Sequence, residues 1–362
     1  MTETSVHPYS SRAPVFSVAG RTEGALARDL LRLDVEEGCL GLRTLVAHFH
    51  AVGPTSDGSA GDLSYLDGEM VDMGRAIEVT IGPPGAERQL FKGTISALEV
   101  SFAEGRAPYV TVRAEDALMR LRQRQRTATY VDKSDADIVG EIAREHGLDA
   151  AADAKGPTYP MVQQWEESDL AFVRNRALRL NAEVWVSSDD VLHFADREQR
   201  EGCEIQLVQG DQLIAFDARV DLAAQRTEVE MRGWNDLDVV AVTETADSSV
   251  VSAEVSSGRN GPDVTGAVFT TATLSRARRD VLTADTARSY AEAEMRRRAR
   301  GFVSVDGVTA GTADLVPGAK LDLRRVGRPF EGDGYRVCHA HHSYDLTRGH
   351  RTRFRAERPA VA

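Results

Sequence analysis

The sequence predicts a mainly antiparallel β protein with a small α+β domain set into it. Three observations carry this. Short runs of alternating apolar and polar residues, split by Gly/Pro turns with no amphipathic helix between them, fill residues 15–115. A helix followed by a hairpin occupies residues 168–194, and alternating runs return from Glu204 onward. The expected organisation is a flexible arm over 1–14, a first β-barrel over 15–115 and a small α+β domain over 116–200. A second β-barrel is assembled from 201–243 and 301–358, interrupted by an insertion with a helix over 244–300, and 359–362 form a tail.

In the first β block, Leu31, Leu33 and Val35 alternate with Arg32, Asp34 and Glu36. Residues 45–50, 76–81, 90–102 and 109–113 read as further strands, with Gly93 a bulge or bend in the long one. Residues 52–62 are a loop by composition. In the middle block, 117–122 is a short helix or turn. Ser134 caps a helix that carries Ile138 and Ile142 one turn apart and stops at Gly147. Ser168 caps another, with Leu170, Val173, Ala177 and Leu180 on one face and Asn181 as a left-handed stop. Residues 184–186 and 191–194 are strands around the turn at 187–190. The last block has strands at 204–208, 213–220 and 227–234, then a Ser/Thr/Gly/Asp-rich loop or extended insertion at 244–266. A helix capped by Thr283 or Asp285 runs to Arg300, and strands follow at 302–305, 319–324, 334–340 and 351–357.

At 362 residues, 42% hydrophobic and 28% charged, the chain is long enough for several modest domains. Its formal net charge of -12 argues against nucleic-acid binding as the main task, because phosphate contacts need a basic surface. Cys39, Cys203 and Cys338 are far apart and odd in number, which points to reduced thiols. The polar N-terminus offers no signal peptide and no apolar run spans a bilayer, so synthesis in the cytoplasm without membrane insertion is expected.

No catalytic, cofactor-binding or metal residue is assigned. Cys338, His339, His341 and His342 form the most tempting cluster, but strand alternation puts His339 and His341 on one face and Cys338 and His342 on the other. A polar strand face at a subunit or domain boundary suits them better. The paired carboxylates Glu36-Glu37, Glu166-Glu167 and Asp189-Asp190 read as solvated groups or caps. Arg296, Arg297 and Arg298, with Arg278 and Arg279 upstream, suit a helix C-terminus. Trp165, Trp185 and Trp234 read as core anchors, and Gly307, Gly311 and Gly318 as turn residues. Nucleophile-elbow, P-loop and zinc-protease motifs are missing, so an enzyme is not expected.

Four stretches, taken in order, resemble the late control protein D family of contractile phage tails and the N-terminal hub region of the valine-glycine repeat protein G (VgrG) family. They are Leu90-Phe-Lys-Gly-Thr-Ile95, Gln163-Gln-Trp-Glu-Glu-Ser-Asp-Leu-Ala-Phe172, Leu315-Val-Pro-Gly-Ala-Lys-Leu321, and Gly334-Tyr-Arg-Val337 followed by His341 or His342. The second continues into Ala182-Glu-Val-Trp185 and Leu192-His-Phe194. The resemblance implies two tail-tube-like barrels per chain and a homotrimeric structural hub that adapts a hexameric tail tube to a trimeric spike. Its implied partners are further copies of itself, the tube protein, a spike protein on a separate chain and baseplate wedge proteins. It would end up in a phage tail or injection-system particle, and no cofactor is implied. Two competing classes are a peptidoglycan- or carbohydrate-binding module centred on 116–200 and a metal hydrolase built on His339, His341 and His342.

Overall fold

Alternating burial along the long strands sorts them into one large sheet with two separate cores. The structure, a computed structural model, describes residues 13–51, 63–83, 85–236, 238–255 and 257–361. The expected loop at 52–62 and all but the last two residues of the expected arm lie outside these. The first block holds β1 (Val15–Val18), β2 (Arg21–Thr22), α1 (Gly24–Asp29), β3 (Leu30–Gly38), β4 (Thr44–His50), β5 (Ala76–Ile81), β6 (Arg88–Ser101) and β7 (Tyr109–Glu115). The middle block holds α2 (Met119–Arg122), β8 (Gln125–Ser134), α3 (Asp135–Glu145), β9 (Asp149–Ala152), β10 (Thr158–Ser168), α4 (Asp169–Leu180), β11 (Ala182–Val186) and β12 (Val191–Asp196). The last block holds β13 (Glu204–Val208), β14 (Leu213–Val220), β15 (Glu228–Asn235), β16 (Val240–Asp247), β17 (Arg259–Asn260), α5 (Gly261–Phe269) and β18 (Thr273–Val281). It ends with α6 (Ala284–Arg300), β19 (Val303–Ala310), β20 (Lys320–Arg324), β21 (Gly332–Asp345), β22 (Gly349–Arg358) and β23 (Ala360–Val361). Strand makes up 49% and helix 21%, so the protein is mainly antiparallel β.

The large sheet has 13 strands and contains one arrangement twice. The first unit runs β3-β4-β7-β6-β5-β1, and the second runs β14-β19-β22-β21-β20-β13. Position for position the chain order matches, although β13 pairs β20 in parallel where β1 pairs β5 antiparallel. Even the irregularities coincide. β6 shifts register against β7 between Ile95 and Ala97, and β21 shifts against β22 between Val337 and His339. Each shift follows a last backbone bond to the neighbouring segment, from Ile95 N–H to the Arg75 carbonyl and from Val337 N–H to the Ala319 carbonyl, both 2.9 Å. A bulge inserts one residue and bends the strand, so each long strand changes direction there.

Beyond its bulge β21 pairs with β3, which joins the two units. Phe16, Leu33, Val35, Phe49, Phe91 and Val112 fill the first core, and Leu207, Val305, Leu321, Tyr335, Val337 and Phe354 fill the second. β21 feeds both: Ala340 enters the second core and Tyr344 the first. Gly93 is not the bulge itself. It stands opposite Ile77, and an added Cβ would meet the Glu115 carbonyl, so its smallness lets β7 and the Phe91 ring close in.

The helix starts follow the local chemistry. Ser134, Ser168 and Thr283 each accept a first-turn N–H, at 3.2 Å in all three, and Asn181 closes α4 at φ 57°. Two placements differ from expectation. Residues 227–243, expected in the second barrel, leave it: β15 and β16 form a separate sheet with β18, and Val229, Met231 and Val242 share a core with Phe172, Val173 and Tyr290. A strand with a single apolar face fits either core, and the apolar stripe of α6 (Ala287, Tyr290, Ala291, Met295) provides the nearer one. Residues 244–266, expected as loop or extended insertion, hold the end of β16, a 3-10 turn at Ser248–Glu254 and most of α5.

A buried ion pair ties this middle core together. Asp135 opens α3 and pairs with Arg176 of α4, while the Tyr159 hydroxyl donates to the same carboxylate at 2.7 Å. The guanidinium lies 4.5 Å from the Tyr159 ring centroid. Replacing Arg176 by Met leaves a buried carboxylate without its cation and should cost ~3–5 kcal/mol. Urea unfolding followed by tryptophan fluorescence checks this; a loss under ~1 kcal/mol would mean the pair behaves like a surface one.

Candidate functional site

The candidate geometry lies along the seam between the two units and at the sheet's open edges. β21 runs antiparallel to β3, with His341 opposite Glu36 and Asp345 opposite Arg32. On the polar face of this seam, His339 Nε2 lies 2.7 Å from Glu36 Oε1 and His341 Nε2 lies 2.8 Å from Asp34 Oδ1. Arg32 Nε also donates to Asp34. Burial pushes the Asp34 carboxyl up, but the hydrogen bonds from His341 and Arg32 outweigh it and hold that group well below the usual carboxylate range. On the opposite face His342 is buried, 3.1 Å from the Thr352 hydroxyl and beside the ring of His350. Burial, with the nearby His350 second, drives the His342 imidazole well below its ordinary value, so it is neutral.

Buried charges also pin the middle block to the seam. Arg200 reaches Glu37 of β3 and, at 3.4 Å, Glu183 of β11, and Arg43 Nε donates to Glu37 at 2.7 Å. The Arg200 guanidinium lies 4.9 Å from the Trp185 ring centroid. From α4, Arg174 donates to the carbonyls of Leu40 at 2.9 Å and Gly41 at 2.8 Å. Asp116 accepts from the backbone N–H of Arg43 at 2.7 Å and of Leu118 at 3.0 Å. Burial nevertheless raises its carboxyl to about 6.

The Cys338–His342 cluster does not converge. His339 and His341 face the acids of β3, His342 points inward, and Cys338 is the bulged residue, with its Sγ near the Arg355 carbonyl. Burial pushes the Cys338 thiol up to about 12, which disfavours the thiolate a metal would take. The candidate carboxylates have structural partners: Glu37 those above, Glu167 the Asn175 amide at 2.8 Å, and Asp190 the Lys92 amine at 2.9 Å. Arg296 pairs with Glu292, and Arg297 and Arg298 with Glu294. Gly307 and Gly311 clear space for the Phe354 and His350 rings instead of making turns, whereas Gly318, at φ 98°, does turn the chain.

The tryptophans differ most from expectation. Trp185 is half-buried under Arg200, but Trp165 is 64% exposed and Trp234 46% exposed. β8 and β10 form a two-stranded ribbon that the sequence reading missed. Its outer face carries Trp165 together with Val131 and Met161, which stand opposite each other in register. The alternation of Thr127, Thr129 and Val131 with Ala128 and Tyr130 was the available signal. β14 ends the large sheet with Ile214 exposed, and Val100 and Phe102 are exposed at the end of β6. No helix among the described residues is long and apolar enough to cross a membrane.

A family model described as the Alg8 N-terminal domain matches residues 54–345. No curated protein matches the sequence. Among solved structures, the 43 kDa tail protein of prophage MuSo2 from Shewanella oneidensis is similar at a TM-score of 0.68 and 12% identity, over 97% of this chain and 99% of that one. A tail protein from Neisseria meningitidis is similar at 0.66 and 12%, over 96% of each chain. The E. coli c3393 protein, a component of the type VI secretion system, is similar at 0.58 and 14%, over 91% of this chain and 73% of that one. At these identities the likeness is one of fold.

The buried histidine sets a pH dependence. Unfolded His342 takes a proton near pH 6.5 while the folded one does not, so stability falls as pH drops through that value, by up to ~1.4 kcal/mol per unit. Asp116 acts in the opposite direction between its ordinary 3.8 and about 6, because the folded state then holds the extra proton. Comparing wild type with His342→Gln separates the two. The wild type should lose more thermal stability than the variant between pH 7.5 and 5.5; equal losses would mean that His342 is not held neutral.

Proposed function

We propose that this chain, which belongs to the Alg8 N-terminal domain family, is a non-enzymatic baseplate hub of a contractile phage tail or contractile injection system. It acts as a homotrimer that joins a hexameric tube to a trimeric spike. The observation that carries this is the repeated six-strand unit, present twice in one chain and joined edge to edge through β21 and β3. Three copies of a two-unit chain supply six similar units. Such a ring can meet a sixfold partner on one side while keeping true threefold symmetry on the other. The fold shared with prophage tail proteins supports the same role, as do the four stretches that resemble the late control protein D family.

The internal seam also supports a particular contact between copies. β14 holds in the second unit the place that β3 holds in the first, and it is an end strand. Residues 97–101 of β6 correspond to the part of β21 that pairs with β3, and among the described residues they pair only with β7 on their other side. Setting residues 97–101 of one copy beside β14 of the next repeats the seam and closes a ring. Exposed Ile214 and Val100 then become buried, which supplies an apolar contribution between chains that each carry a net charge of -12. The tube protein, a spike protein and baseplate wedge proteins are the further partners, met after synthesis in the cytoplasm.

Light scattering should show three copies of the 39.5 kDa chain per particle, in the purified chain alone or, after the partners' mass is subtracted, in mixtures with cognate tube and spike proteins. Ile214→Asp places a charge on the open edge and should abolish that species while circular dichroism stays unchanged. A wild-type chain that remains monomeric in every mixture would sink the hub reading.

A further inference from the structure

The middle block contains a basic cleft that the hub role does not use. It has a volume of about 730 Å³ and lies between α4, β18 and α6. Arg179 of α4, Arg276 and Arg278 of β18, and Arg297 of α6 line it, facing the carboxylates of Glu167 and Glu294; Arg176 also lines it but is committed to Asp135. Glu294 alone serves Arg276 at 3.5 Å, Arg298 at 2.7 Å, and Arg297. Burial pushes the Glu294 carboxyl up, but Arg297 and Arg298 outweigh it and hold that group ionised. Three guanidinium groups, those of Arg276, Arg297 and Arg298, thus share the single Glu294 carboxylate, on a chain that is acidic as a whole.

The cleft follows the edge of a strand. Ser275, Arg276, Ala277 and Arg278 all line it, although consecutive side chains of a strand point to opposite faces. As an end strand, β18 can present all four through its main-chain edge. β18 pairs with β15 on its other side and is the end strand of the β16-β15-β18 sheet. Arg276 stands opposite Met231, on the face that α6 covers, and the Arg278 guanidinium lies 5.3 Å from the Tyr290 ring centroid. Gln163, Asn175 and Ser275 add neutral hydrogen-bonding groups around the opening.

We propose that this cleft binds an extended acidic peptide segment of a partner protein, which adds as a fourth strand along β18. Its main chain pairs with the β18 edge, and its alternate Asp or Glu side chains reach the arginines. Four lined residues at about 3.3 Å each accommodate a segment of four or five residues. This proposal stands apart from the hub reading, because it requires neither trimer formation nor tube binding.

The test is fluorescence polarisation on the full chain with a labelled Glu-Val-Glu-Val-Glu-Val peptide. The expected result is binding that falls about tenfold or more when Gln replaces Glu, and again in Arg276→Glu. Methylating the alternate backbone nitrogens that face β18 should weaken binding by a similar factor, which charge attraction alone does not explain. Arg297→Gln is the second variant, and unchanged circular dichroism of both variants establishes that they fold. Absent binding, equal binding by the Gln peptide, equal binding by both folded variants, or indifference to N-methylation overturns the proposal. So does an oligothymidine that competes as well as the Glu peptide, since the cleft would then be a general polyanion site.

Discussion

The pairing of β21 with β3 is the constraint on which the rest of the structure depends. One strand serves two cores, with Tyr335, Val337 and Ala340 in the second and Tyr344 in the first. It can do so because the bulge at Cys338 releases it from β20 and turns it toward β3. The register is firmly set. A slip of one residue would turn His339 and His341 inward and push Ala340 and Tyr344 out to solvent. The hydrogen-bonded pairs His339–Glu36 and His341–Asp34 lie along this one register and reinforce it.

Buried charge pins the middle block to the seam, while apolar packing fills each core and also joins the middle block to β15, β16 and α6. Glu37, Arg43, Glu183 and Arg200 link β3 to the hairpin of the middle block, and within that block Asp135–Arg176 links α3 to α4. Buried ion pairs give little net stability, because desolvation offsets much of the attraction. They do penalise every arrangement that leaves one partner unpaired, and so favour one relative placement of the blocks. For a protein whose proposed task is to hold other proteins in fixed geometry, definite placement matters more than extra stability.

Three kinds of open surface stand out among the described residues. The edge of β14 and the end of β6 are apolar and main-chain rich, which suits sheet continuation. The β8–β10 ribbon presents Val131, Met161 and Trp165 to solvent. The β18 cleft is cationic.

The sequence by itself determined the local elements: the caps at Ser134, Ser168 and Thr283, the stop at Asn181, the hairpin around 187–190 and most long strands. These depend on neighbours a few residues apart, so period and turn chemistry reveal them. It also separated His339 and His341 from His342, because alternation along one strand suffices for that. Only the tertiary structure decided which core receives β15 and β16, that Trp165 and Trp234 face solvent, and that Glu37 meets Arg200 across 163 residues of chain. The identity of the two strand orders was equally hidden, since β14 and β3 share a place in the sheet and not a motif. A strand's own pattern states that it has an apolar face; the partner that covers that face is a long-range contact, and the folded chain alone supplies it.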